Sequence, residues 1–147
     1  MDGNDNLHTI LSAKNYKLRI DLEDWNSDTK YAEYDTFVVG NESTNYLLTM
    51  SGYIGDAGDS IINPPSGTLY QMNGMEFSTS DRDNDKHQYV NVAQHRWSGW
   101  WYKWDTDANL NGIYYTEGQT ANEGIYWDFW QNSKYSLKSV SMKIKPV

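Results

Sequence analysis

The middle of the chain, from Ser51 to about Ile113, follows neither a helical nor a strand-like pattern of apolar residues. Gly, Asp, Asn and Ser dominate it, and Pro64-Pro65-Ser66-Gly67 marks a loop. An irregular segment of this length is costly to order, and such segments are usually either functional or disordered. Its many aromatic residues favour order, so we expect a bound ion to help hold this region together.

Both ends of the chain predict regular structure instead. Tyr16–Glu23 alternates apolar and charged residues, which predicts a half-buried antiparallel strand with these side chains facing inward: Tyr16, Leu18, Ile20 and Leu22. A turn at Asn26-Ser27-Asp28 leads to strands around Lys30–Val39 and Tyr46–Met50. Alternation near the C-terminus predicts a closing strand with Val140, Met142 and Ile144 on one face.

A short helix is predicted before the first strand. Three residues could cap its N-terminus: Asn4, Asp5 and Asn6. Its apolar side chains, at helical spacing, are those of Leu7, Ile10 and Leu11. The length of 147 residues suits one domain built from these elements.

Composition excludes several function classes. The net charge of −8 and the lack of a Lys/Arg stripe argue against nucleic-acid binding. No apolar run approaches transmembrane length, so we expect no membrane partner. The chain has no cysteine, which excludes disulfides, thiolate metal sites and cysteine nucleophiles. The absence of cysteine suggests a reducing compartment, whereas the N-glycosylation sequon Asn41-Glu42-Ser43 suggests a secreted protein.

Aromatic residues are abundant, with 7 Trp, 12 Tyr and 3 Phe. These side chains either fill a core poor in aliphatic residues or form walls that contact ligands. We expect about two-thirds of them to be core residues. The tight cluster Trp100-Trp101 is predicted to be buried.

An acidic cluster is the main candidate site. Three aspartates alternate along five residues: Asp81, Asp83 and Asp85. Carboxylates this close repel one another unless a cation neutralises them, and calcium prefers such oxygen ligands. The EF-hand pattern fails, because Lys86 stands at its sixth position and Val92 at its twelfth. A solvated acidic turn explains the same residues equally well. A similar stretch over residues 105–109 is interpreted as a turn.

An ordered set of short motifs is similar to the fibrinogen-related domain of ficolins, tachylectins, tenascins, angiopoietins and fibrinogen chains. The motifs are Gly3-Asn4-Asp5-Asn6-Leu7-His8, Leu18-Arg19-Ile20-Asp21-Leu22, Ala57-Gly58-Asp59-Ser60, Asn73-Gly74-Met75-Glu76-Phe77, Gly99-Trp100-Trp101-Tyr102, Asn109-Leu110-Asn111-Gly112, Gly124-Ile125-Tyr126-Trp127 and Met142-Lys143-Ile144-Lys145-Pro146. They cover nearly the whole chain. The resemblance implies an α+β fold over 1–147, with an antiparallel sheet in about 1–50 and 135–147 and a loop-rich binding region in about 51–134.

The resemblance also implies a calcium site and a ligand pocket. Its metal ligands would be the carboxylates of Asp83 and Asp85 and the carbonyl oxygens of His87 and of Tyr89 or Val90. The family's pocket, which recognises N-acetyl groups or peptide termini, maps to three segments that include His95, Arg96, Trp104, Asp105, Thr120 and Ala121. In the family's lectins a histidine often stands at 105 and an aromatic residue at 120.

The chain departs from the family in its cysteines. By the resemblance, Val92 and Trp104 occupy the places of a cysteine pair that flanks the pocket, and we expect the sequence to begin after the family's N-terminal subdomain. These losses suggest an engineered minimal domain, made in the cytoplasm of an expression host, whereas the parent family is secreted. A natural cysteine-free member is the alternative. Without the cysteine, the peptide bond between Lys103 and Trp104, cis in the family, is expected to be trans.

Three functions remain open on the sequence. A calcium-dependent, lectin-like module for acetylated carbohydrate or protein ligands is the favoured hypothesis. A hydrolytic enzyme is disfavoured, because His8, His87 and His95 are the only histidines and no Ser stands in a nucleophile-elbow pattern. The third is a scaffold that has kept no ligand.

Overall fold

The computed structural model describes residues 2–147. Helix α1 spans Asp2–Ser12, and strands β1, β2 and β3 span Tyr16–Glu23, Thr29–Val39 and Leu48–Gly55. A short helix α2 spans Val92–Arg96, and β4 closes the chain at Ser139–Pro146. Single 3-10 turns lie at Glu42–Thr44 and Thr68–Tyr70.

The four strands form one antiparallel sheet in the order β3-β2-β1-β4. Leu18, Ile20 and Leu22 are buried, so the predicted inward face of β1 is confirmed. The predicted turn after β1 is confirmed as well. Asp24 Oδ1 accepts the N–H groups of Asn26 and Asp28 there, which closes the β1–β2 hairpin.

Strand β3 begins later and runs further than Tyr46–Met50. Asn45 and Tyr46 have left-handed φ angles of 52° and 55°, so the strand cannot start before Leu48. Beyond Met50 it continues to Gly55, because Thr36↔Ser51 through Ala32↔Gly55 keep pairing with β2. The irregular region therefore starts after Gly55.

The predicted cap of α1 is wrong. Asn4, Asp5 and Asn6 lie inside the helix, which already includes Asp2. The carboxylate of Asp5 is engaged elsewhere, since it accepts a 2.8 Å bond from the hydroxyl of Tyr46. The helix packs on the sheet, where Nδ1 of His8 lies 2.8 Å from the carbonyl oxygen of Val39.

Aromatic side chains form a large part of the core, but only 7 of the 19 Trp and Tyr residues are buried, fewer than the predicted two-thirds. Trp100 and Trp101 are buried, and the Trp101 indole donates a 2.8 Å bond to the Tyr46 carbonyl. Other fully buried aromatic side chains are those of Tyr34, Tyr46, Tyr102, Tyr126 and Trp127. Tyr and Trp suit this core because their polar ends find partners inside it.

Buried polar side chains hold much of the irregular region. Residues 106–109 are fully buried, although their composition suggests a solvated turn. Asp107 accepts bonds from the backbone N–H and hydroxyl of Ser66, at 2.8 and 2.7 Å. Asn109 donates 2.9 Å to the Gly124 carbonyl and accepts 2.9 Å from Tyr102. These contacts fix loops that carry no regular hydrogen bonding.

No helix within residues 2–147 is both long and apolar enough to span a bilayer.

Candidate functional site

The acidic loop, residues 81–90, brings the carboxylates of Asp83 and Asp85 together. Asp83 Oδ1 accepts the backbone N–H of Asp85 at 3.2 Å. The Asp85 carboxylate is partly buried and accepts the N–H groups of His87 and Val92, both at 2.8 Å. Burial raises the pKa of Asp85; those two bonds oppose the shift, and the charge of Asp83 adds to it. A bound cation would stabilise the ionised form of Asp85 against both effects, the burial and the repulsion by Asp83.

Backbone oxygens complete the possible donor set. Among the described residues, no donor bonds the carbonyl oxygen of His87, Tyr89 or Val90. Within residues 2–147, no three His, Asp or Glu side chains are grouped to hold a metal. A metal at Asp83 and Asp85 would therefore depend on carbonyl and water oxygens. Two carboxylates with free carbonyls match the ligands that calcium prefers, so the loop fits that ion.

The side chain of His87 does not take part in the proposed metal site and instead makes contacts of its own. Its Nδ1 accepts the backbone N–H groups of Tyr89 and Val90 at 3.2 and 3.3 Å, which places the proton of the neutral ring on Nε2. The ring packs against Trp104 at a tilt of 37°, with centroids 4.2 Å apart. His87 thus links the acidic loop to the segment that carries Trp104.

A cavity of about 290 Å³ lies where the loop meets α2. Its lining comes from four parts of the chain: Tyr70, then His87, Val90, Val92, His95 and Arg96, then Trp104 and Asp105, and finally Asn122. Four of the predicted pocket residues line it, namely His95, Arg96, Trp104 and Asp105. The Lys103–Trp104 peptide bond beside it is trans.

Arg96 and Asp105 form a buried ion pair in the wall of the cavity. Arg96 Nε donates to Asp105 Oδ1 at 2.9 Å, and a second guanidinium nitrogen donates to Oδ2. The third nitrogen donates to the carbonyl oxygen of Asn122 at 2.6 Å. The two side chains are only 9% and 20% exposed. One guanidinium therefore joins α2, the 103–105 segment and the loop at 122.

Thr120 and Ala121 do not line the cavity. Thr120 forms a bridge to Tyr135, and the N–H of Ala121 donates to the carbonyl oxygen of Lys134. These contacts turn the loop so that Asn122, the next residue, reaches the site. Tyr70 was not predicted, and nothing in its local sequence marks it. It reaches the cavity because the neighbouring Leu69 carbonyl accepts the N–H of Trp104 at 2.9 Å.

Sequence comparison identifies the family. Residues 2–147 match the family described as "Fibrinogen beta and gamma chains, C-terminal globular domain". Human fibrinogen-like protein 1 is 43% identical over 98% of this chain and 47% of its own length. Techylectin-5A of Tachypleus tridentatus is 40% identical over 99% of this chain and 47% of its own length. The chain thus spans about half the length of these curated relatives.

Structural comparison agrees. A lamprey fibrin D-dimer solved with the peptide ligand Gly-His-Arg-Pro-amide superposes with a TM-score of 0.90 at 37% identity. The match covers 97% of this chain and 49% of that one. Fold, sequence and family profile are in accord, and the chain belongs to the fibrinogen C-terminal domain family.

Proposed function

We propose that this domain is a calcium-ordered recognition module whose cavity binds the N-acetyl group of a carbohydrate. The observation that carries the proposal is the shared wall, because His87 and Val90 belong to the acidic loop and also line the cavity. Calcium held by Asp83, Asp85 and backbone carbonyls would fix the loop. Metal binding and ligand binding would then favour each other through the same ordered state.

The chemistry of the cavity favours a neutral ligand. Arg96 and Asp105 neutralise each other, so neither charge is free to hold a charged group. Val90, Val92 and Trp104 offer apolar surface for a methyl group. A space of about 290 Å³ accepts a group the size of one sugar substituent, at the lower end of ligand pockets.

The hydrogen bonding of the carboxylate in the cavity favours a binding function over a catalytic one. The carboxylate of Asp105 is held by Arg96, so it is not a free general base. The name techylectin-5A denotes a lectin, which supports a carbohydrate ligand. The peptide in the lamprey fibrin structure supports a peptide end as the second candidate. We place the domain outside the cell, where the exposed sequon at Asn41 is open to glycosylation.

Calcium is expected to raise the thermal midpoint of this domain. Calcium at 100 times its dissociation constant stabilises the native state by about 2.7 kcal/mol, which corresponds to roughly 5–10 °C for a domain of this size. Asp83→Asn and Asp85→Asn should each lose most of the shift. Differential scanning calorimetry with calcium, with magnesium and with a chelator measures it.

Asp81→Asn is the matched control for the calcium experiment. Asp81 belongs to the same loop, but its carboxylate accepts the hydroxyl of Thr79 at 2.7 Å and is not one of the proposed ligands. Its variant should keep the full calcium response. A calcium shift that survives in Asp83→Asn and Asp85→Asn, or no shift in the unaltered protein, would contradict the proposed metal site.

N-acetylglucosamine is expected to bind in the presence of calcium and to bind weakly or not at all with chelator. Titration followed by NMR should shift the backbone resonances of residues 87–96, with Gly-His-Arg-Pro-amide as the second arm. His95→Ala should weaken binding while leaving the fold intact, because His95 lines the cavity and is exposed. Binding of the peptide alone would favour the second candidate. If neither probe binds, the proposal is wrong, and the result favours the third hypothesis, a disulfide-free scaffold that has kept no ligand.

A further inference from the structure

Trp97 has a backbone conformation that tryptophan seldom adopts, and its N–H caps helix α2 by donating to the carbonyl oxygen of Ala93. It follows the last residue of α2 with φ 53° and ψ 32°, the left-handed conformation that glycine adopts without strain. The residue is 75% exposed, so burial does not compensate the strain. Residues kept in such conformations at a cost are concentrated at binding and catalytic sites.

A groove of about 520 Å³ lies beside this indole. It is lined by Thr79, Ser80, Ala93, Gln94, Trp97, Ser98 and Gly99. The lining contains no charged side chain, although the chain has 32 charged residues, 12 basic and 20 acidic. The groove shares no lining residue with the cavity at Arg96. Helix α2 contributes Val92, His95 and Arg96 to the cavity and Ala93 and Gln94 to the groove.

The polar floor of the groove is already in place. Gln94 Nε2 donates to the carbonyl oxygen of Ser80 at 2.8 Å, and Asn91 Nδ2 donates to that of Thr79 at 3.0 Å. Three polar atoms keep their bonding capacity. Among residues 2–147, the Trp97 indole N–H, the Ser80 hydroxyl and the Gln94 amide oxygen have no hydrogen-bond partner. One flat apolar face therefore stands beside two donors and two acceptors held on a fixed turn.

We infer that this groove is a carbohydrate subsite in which a neutral pyranose ring stacks on Trp97. The axial C–H face of a pyranose matches an exposed indole, and its hydroxyl groups match the amide and hydroxyl atoms at the rim. An ionic ligand would find no opposite charge in the lining. A sugar held here lies across α2 from the cavity, but its binding does not depend on calcium or on the ligand of that cavity.

The probe for this subsite is a set of neutral methyl glycosides: those of glucose, galactose and mannose. In a two-dimensional NMR spectrum the indole N–H signal of Trp97 is identified as the one that disappears in Trp97→Gly. At least one glycoside should shift that signal saturably, with millimolar affinity. The shift should persist with chelator and in His95→Ala, which separates this subsite from the cavity.

Two variants of Trp97 distinguish ligand binding from stability. Trp97→Ala should weaken glycoside binding by at least about tenfold, a loss that corresponds to removal of one stacking face. Trp97→Gly should also abolish binding, yet its urea midpoint should equal or exceed that of the unaltered protein because the left-handed strain is relieved. No saturable shift with any glycoside, or equal affinity in Trp97→Ala, would overturn the inference. So would a Trp97→Gly variant that is markedly less stable, because Trp97 would then be a structural residue.

Discussion

Replacing Asp59 with alanine is expected to lower the free energy of unfolding by about 4 kcal/mol or more, the range of a broken buried polar network. Asp59 is 6% exposed and accepts hydrogen bonds from four residues. Oδ1 accepts the hydroxyl of Tyr34 at 2.8 Å and the N–H groups of Ile61 and Ile62 at 3.1 and 2.9 Å. Oδ2 accepts the backbone and side-chain N–H groups of Asn63. Each buried donor left without an acceptor costs about 1–3 kcal/mol.

Tyr34→Phe is the matched control, because it removes one donor and leaves the carboxylate its four N–H partners. Tyr34 is fully buried in β2, and burial raises the pKa of its hydroxyl, followed by the charge of Asp59. Its loss should cost about 1 kcal/mol. Urea unfolding measures both variants, and hydrogen exchange at residues 61–63 should accelerate in Asp59→Ala far more than in Tyr34→Phe. Equal losses in the two variants would show that Asp59 does not organise this loop.

The sheet could be predicted from the sequence because its signals are local. The alternation in Tyr16–Glu23 is a property of eight consecutive residues, and of the four side chains that it marks the structure buries Leu18, Ile20 and Leu22 and partly buries Tyr16. The extension of β3 to Gly55 could not be predicted in this way. Ser51 and Gly52 have the composition of a loop, and only the pairing of β3 with β2 on both sides of Gly52, Thr36↔Ser51 and Tyr34↔Tyr53, keeps this segment in a strand.

The buried acidic segments had no local signal. Residues 106–109 have the composition of a solvated turn, and the same residue types serve a buried, bonded segment equally well. Distant donors decide between the two, such as Ser66 for Asp107 and Tyr102 for Asn109. Hydrogen bonds to buried carboxylates hold parts of the irregular region in addition to any ion at the acidic loop, through Asp59 and Asp107.

In the candidate site, too, some features could be predicted from the sequence and others depend on distant contacts. The resemblance placed Arg96 and Asp105 in the pocket, and both line the cavity. That they bind each other was not predicted. Seen alone, each has the composition of an exposed loop residue, and only the fold of the segments at 92–97 and 103–105 brings them together. The same fold supplies Tyr70 and directs Asn122, rather than Thr120 or Ala121, to the cavity.

Asp105→Ala is expected to destabilise the domain by about 3–5 kcal/mol, the loss typical of breaking a buried ion pair from one side. Arg96 would keep a single partner, the Asn122 carbonyl, while its side chain is only 9% exposed. The three segments joined by the guanidinium would separate more easily. Ligand binding in the cavity should fall with stability, since the same segments form its walls. Urea unfolding and the N-acetylglucosamine titration measure the two effects.

Two controls test whether the loss of stability in Asp105→Ala comes from leaving the buried charge of Arg96 unpaired. Lys17 and Asp35 form an ion pair at 2.7 Å with side chains 46% and 57% exposed, so Asp35→Ala should cost little stability compared with Asp105→Ala. The double variant Arg96→Met/Asp105→Leu replaces the buried pair by apolar side chains and should recover most of the stability lost in Asp105→Ala, because no buried charge is left unpaired. A loss in Asp105→Ala as small as that in Asp35→Ala would mean that water replaces the carboxylate, and that Arg96 does not hold the walls of the cavity together.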